Sequence, residues 1–240
     1  MMSETINKKV QQLQSELRLI TGYKPCGAEN CTKRLKELAE YNVWRLFIPW
    51  AAPPSEREMT TERDKDTLSW LFGTDGLIPK LSKVMPVECI VMFADIYAER
   101  NGISMDNANQ YWKAIETELT GVPGVEFVRT SQFDVATMDR LKAEESYAFE
   151  RLLQKYGTIP KTAVSKILQA AIKYGQSDND QEIYESAAEY TMLRSAEGRY
   201  VDENLGALWV SLNWPERDVM CQNVPRLYIP QGLRAPWLKD

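Results

Sequence analysis

VECIVMFADIY, residues Val87 to Tyr97, is an apolar run rich in branched side chains that follows Pro86 and breaks on one carboxylate, Asp95. A run without polar alternation fits a strand buried on both faces, the condition of a parallel sheet covered by helices on each side. VWRLFIPW (Val43 to Trp50) and VEFVRTS (Val125 to Ser131) have the same character, and stretches of helical spacing separate the three. Strands alternating with helices imply parallel pairing through right-handed crossovers. The expected fold is α/β: a Rossmann-like, mostly parallel sheet flanked by helices, with a helical C-terminal half and final strands.

The intervening pieces agree with that frame. Ile6, Val10, Leu13, Leu17 and Ile20 recur at three and four residues, which predicts an amphipathic helix from about Thr5 to Ile20. CTKRLKELAEY predicts a second helix, so residues 1–40 should pack as helices on the body. AAPPSEREMTTERDK carries Pro53 and Pro54 and predicts a loop after the first strand. Helical spacing follows from Thr61 to Leu81, broken around Gly73 and Gly76, and again from Ser104 to Thr120. Asp134 to Arg199 is almost wholly helical, with breaks at Gly157 to Pro160 and Gly175 to Asp180, before the strand-like ALWVSLNW and PRLYIP. A chain of 240 residues with this pattern is expected to form a single domain.

Residue usage excludes several chemistries. The chain has no histidine, which removes Ser-His-Asp and Cys-His nucleophile systems and every histidine base. Cys26, Cys31, Cys89 and Cys221 are too scattered for a disulfide framework. A zinc site without histidine would need thiolates and carboxylates alone, so no metal is expected. Neither GxxxxGK[ST] nor GxGxxG occurs, and no cofactor is expected. A net charge of −5 does not favour RNA as the main partner, although a basic face remains open. The first residues lack a secretory apolar run and no segment approaches the roughly 20 apolar residues of a membrane span, so a cytoplasmic protein without membrane contact is expected.

In a parallel sheet, ligands lie outside the carboxyl ends of the strands. Three polar clusters follow the strands: Ser55 and Glu56; Asp95, Tyr97, Glu99 and Arg100; and Arg129, Thr130 and Ser131. If these strands are neighbours the clusters converge on one edge, where they would serve either a ligand or ordinary turns. An anionic ligand would need Arg129, Arg194, Arg199 or a helix N-terminus. Arg194 and Glu197 are three apart and share one helix face, where a plain surface ion pair is the first reading and a pocket role the second. Trp209, Trp214, Tyr228 and Trp237 would make either an aromatic wall or part of the core.

The order of elements resembles the pyoverdine/dityrosine biosynthesis family, the isocyanide (isonitrile) synthases. The resemblance runs over residues 40–240 through LFIPWAAPPS, DTLSWL, IVMFADIY, a helix beginning near Asp106 and carrying Tyr111, YTMLRSAEGRYV, ALWVSLNW and the closing RAPWL. It implies an enzyme that condenses the amine of an aromatic amino acid with a sugar-phosphate carbonyl and eliminates to an isonitrile. Arg129 and Arg194 would then hold phosphate and carboxylate, Asp95 or Glu197 would move protons, and Tyr97 would orient the substrate. The chain lacks the lysine that such members carry in the first loop, and it has no histidine near its end.

Three functions follow from these patterns. The first is an enzyme of specialised metabolism acting on an amino acid or a derivative. The second is a Rossmann-like module that binds a nucleotide- or RNA-linked aminoacyl substrate, with a basic face drawn from Lys33, Arg34, Lys36, Lys161, Lys166 and Lys173. The third is an inactive relative that serves as a protein partner.

Overall fold

The computed structural model describes residues 2–21, 28–50, 62–98, 103–156, 192–211 and 225–228. Five parallel strands form one sheet: β1 (Trp44–Trp50), β2 (Val87–Phe93), β3 (Val125–Arg129), β4 (Leu208–Ser211) and β5 (Arg226–Tyr228). Their order is β3-β2-β1-β4-β5, so the chain builds outward from β1 on one side and then crosses to its other side. The reversal falls between β1 and β4, the topological switch point of a Rossmann-like α/β fold.

Seven helices flank the strands among the described residues: α1 (Met2–Thr21), α2 (Ala28–Tyr41), α3 (Glu62–Phe72), α4 (Leu77–Ser82), α5 (Met105–Glu118), α6 (Val135–Tyr156) and α7 (192–200). α7 runs into a π-turn at Val201–Leu205, and short 3₁₀ turns follow β2 (Asp95–Tyr97) and β3 (Thr130–Gln132). Ser104 caps α5 by accepting the Asn107 N–H, as a serine just before a helix does.

The two-residue period of the strands sorts their side chains into two cores. Trp44, Leu46, Ile48 and Trp50 of β1 join Val91 and Phe93 of β2 in a large cluster against α1 to α5. Phe47, Met92 and Trp209 point the other way and pack with Met138 and Leu141 of α6 and Leu193 and Ala196 of α7. Val10, Leu13 and Leu17 are buried, so the predicted stripe of α1 is the face that docks.

The run from Val87 to Tyr97 stays extended only to Phe93. Beyond it Asp95 accepts the Ile96 N–H and bonds across to Ser131, and the backbone turns instead of continuing the strand. At the strand entries one glycine has no substitute: Gly124 holds φ +75°, and a Cβ there would lie 2.5 Å from the Val87 carbonyl oxygen. The predicted breaks at 157–160 and 175–180 lie outside the described residues. No described helix is long and apolar enough to cross a membrane.

Candidate functional site

The carboxyl edge of the sheet carries two polar assemblies with different purposes. In the first, the Asp95 carboxylate accepts Ser131 Oγ at 2.5 Å, the Ser131 N–H at 3.0 Å and the Ile96 N–H at 3.0 Å. Thr130 Oγ1 donates to the Phe93 carbonyl at 3.0 Å. The turns after β2 and β3 are thereby laced together, which places two of the three predicted clusters side by side. Arg129 is held by Asn109 at 2.8 Å and lies over the Trp112 ring at 5.2 Å, both on α5.

The second assembly closes the end of β1. Trp50 Nε1 donates to the Tyr111 hydroxyl at 2.9 Å, and that hydroxyl donates to Asp64 Oδ1 at 3.0 Å. Trp50, Tyr111 and Asp64 are all buried, Asp64 completely, with Thr67 beside it in the same helix. A carboxylate withdrawn from water is costly without partners, so a chain of three aligned groups is a deliberate polar feature within an otherwise apolar face. Trp50 is the last residue of β1, one of the two strands that border the switch point.

On the opposite face, Arg194 Nη1 donates to Glu197 Oε2 at 2.7 Å in a pair that is almost wholly buried. Arg194 lies over the Trp209 ring at 5.1 Å, and Arg226 of β5 approaches the same ring at 5.6 Å. The i,i+3 pairing read from the sequence is therefore present, but inside the protein. Arg199 is braced by Glu144, Glu145 and Glu203, a set that links α6, α7 and the π-turn. Burial works against its charge, and hydrogen bonds to Glu203 and Glu144 outweigh that effect and hold its pKa above the ordinary value.

Arg129 and Arg194 are thus held on opposite faces, the first by α5 and the second against Trp209, and do not form one cluster with Asp95. Ser55, Glu56, Glu99 and Arg100 lie outside the described residues, as do Cys26, Cys221, Trp214 and Trp237. Tyr97 is placed by its backbone in the turn after β2. Of the proposed basic face, Lys161, Lys166 and Lys173 lie outside the described residues. Arg34 turns inward to Glu37 and to Asp202 Oδ1, the latter at 2.8 Å, and so braces α2 against the π-turn. Among the described residues no group of three or more metal-ligating Cys, Asp or Glu occurs.

Asp64 and Tyr111 were not among the residues singled out for chemistry. Asp64 falls in a polar stretch that predicts a loop, and Tyr111 sits in a predicted helix where nothing local marks it for chemistry. Only the contact between α3, α5 and β1 joins them.

A cavity of about 490 Å³ opens at the other, amino-terminal edge, lined by Arg45, Glu88, Ile90, Glu126, Asn204 and Leu205 among others. Arg45 and Glu88 pair across it at 2.9 Å. It is remote from both carboxyl-edge assemblies and, in this fold, lies at the end where ligands do not bind.

No family model matches the chain, and no curated protein matches it. Solved structures similar to it include a CDPS from Staphylococcus haemolyticus, 12% identical over 85% of this chain and 96% of that one, with a TM-score of 0.47. A cyclodipeptide synthase from Candidatus Glomeribacter gigasporarum bound to Phe-tRNAPhe is 13% identical over 82% and 93%, with the same TM-score of 0.47. The tyrosyl-tRNA synthetase of Leishmania major in complex with tyrosinol is 13% identical over 92% of this chain and 36% of that one, TM-score 0.46. These likenesses concern chain architecture alone. The expected resemblance to isocyanide synthases does not hold: no family model matches the chain, and the solved structures similar to it include a CDPS, a cyclodipeptide synthase and a tyrosyl-tRNA synthetase. Its motifs were short strands, helical pieces and proline-bearing turns, none of them specific alone.

Proposed function

We propose that this chain is a Rossmann-like module that binds an aminoacyl substrate whose carboxyl group is carried on a nucleotide or an RNA end. The observation that carries the reading is the buried Trp50, Tyr111 and Asp64 chain at the carboxyl end of β1, beside the switch point. A carboxylate shielded from water and oriented by a phenol is suited to hold an α-ammonium group. A free amino acid is a zwitterion and brings a carboxylate as well as an ammonium group. An esterified aminoacyl group carries the ammonium charge alone and presents that charge to the acid without a second, opposite one. The cyclodipeptide synthase bound to Phe-tRNAPhe names a ligand of this class for that protein; for this chain the support is its own sheet edge. In this reading Asp95, with Ser131, frames the neighbouring part of the edge.

The test is thermal stability in the presence of aminoacyl-sulfamoyl adenosines, the matching free amino acids, and aminoacylated RNA hairpins at several salt concentrations. The nucleotide-linked compounds should raise Tm, by about 5–10 °C at a hundredfold excess over Kd, and the free amino acids far less. Asp64→Asn should remove the response, with Tyr111→Phe as a second variant should the first not fold. Absence of a shift with any aminoacyl compound, or an unchanged response in Asp64→Asn, would overturn the reading. Binding of the RNA conjugate that weakens steeply with salt would identify the carrier as nucleic acid.

A further inference from the structure

Arg226 has an environment that the aminoacyl reading does not use. It is the first residue of β5, it is 3% exposed, and its register partner is Trp209. Its Nε and Nη1 are buried and have no hydrogen-bond partner. Its described interaction is with the Trp209 ring, whose other visitor is Arg194. Glu197 answers Arg194, and among the described residues no carboxylate pairs with Arg226. A native interior leaves few such donors unanswered, and a buried guanidinium without a carboxylate is strongly unfavourable unless something answers it.

We infer that Arg226, with Arg194 alongside on Trp209, forms a binding site for a small oxyanion, a carboxylate or a phosphate. A guanidinium gives planar, charge-assisted hydrogen bonds to either group, and the low dielectric of the site strengthens them. The unanswered donors of Arg226 set the sign of the ligand. The indole face fixes the plane of each guanidinium before the anion arrives, so little side-chain freedom is lost on binding. The site belongs to the face of Phe47 and Trp209, whereas Trp50, Tyr111 and Asp64 belong to the other, so it stands or falls separately from the aminoacyl reading.

The experiment measures Tm and tryptophan fluorescence of the full chain against inorganic phosphate, pyrophosphate, acetate and oxalate, at constant ionic strength with chloride as the reference. A dose-dependent rise in Tm with an oxyanion and none with chloride is expected, and preference for the phosphates or for the carboxylates identifies the source. Arg226→Met, close in volume and uncharged, should melt higher than the wild type in chloride and lose the oxyanion response. Should that variant not fold, Arg226→Lys decides: it keeps the charge but loses the planar fork, and its apparent affinity should fall about tenfold. No oxyanion response in the wild type overturns the site. So does an undiminished response in either variant, or an Arg226→Met protein that melts lower than wild type with the response intact.

Discussion

Asp95 illustrates how a single carboxylate at a strand end is used. Its two oxygens accept three hydrogen bonds, two of them from Ser131, so it joins the turns that end β2 and β3. Asparagine would keep one acceptor but present an amide N–H₂ where the Ser131 hydroxyl donates. We expect Asp95→Asn to lose about 1–3 kcal/mol of stability, measured by urea denaturation; a midpoint equal to wild type would refute the bracing role. The acid was visible in the sequence because it ended an apolar run. Its partner was not, because Ser131 lies 36 residues away and nothing local links the two. Asp64 and Tyr111 were hidden for the same reason, being brought together across 47 residues.

At the level of elements, the strand entries are tightly set. Gly124 precedes β3, its carbonyl accepts the Cys89 N–H at 2.7 Å, and its absent Cβ leaves room for the Val87 carbonyl. Alanine there would meet that oxygen and adopt an unfavourable left-handed backbone at once. Gly124→Ala should cost at least about 2 kcal/mol, with hydrogen exchange accelerated first along the β2 and β3 pairing. Equal exchange in both proteins would show that the edge can relax. Gly206 plays a comparable part after the π-turn, at φ +60° with Arg34 Nη1 3.0 Å from where a Cβ would stand. Element types were legible along most of the described chain, since strand and helix periods differ sharply. The ends were less so: β2 stops at Phe93 because side-chain bonds to a neighbouring turn, invisible locally, bend the chain beyond it.

At the scale of the whole molecule, the sheet is buried between two apolar layers, and the thiol of Cys89 reports on that burial. Desolvation raises its pKa from 9.0 to about 12. Below pH 9 folded and unfolded chains both hold the proton, and stability is unaffected. Between pH 9 and 12 only the unfolded chain releases it, so stability falls as pH rises, by about 1.4 kcal/mol per pH unit for this group. Cys89→Ala should flatten the slope of stability against pH in that window by one proton, whatever its effect at neutral pH. An unchanged slope would mean that the native thiol ionises freely.

The sequence by itself determined the layers. Apolar runs of strand length alternating with amphipathic helical stripes can bury their surfaces only as a parallel sheet covered on both sides, and that follows from periodicity alone. The absence of histidine also bounded the chemistry before any fold was known. Tertiary structure alone decided which polar groups meet. The packing of α3 and α5 against the end of β1 brought Asp64 and Tyr111 to Trp50, and the crossing of the chain to the far side of β1 set the switch point and turned Arg194 and Arg226 onto Trp209. Those meetings depend on strand order and on the side from which each helix packs, long-range properties that leave no trace in local spacing.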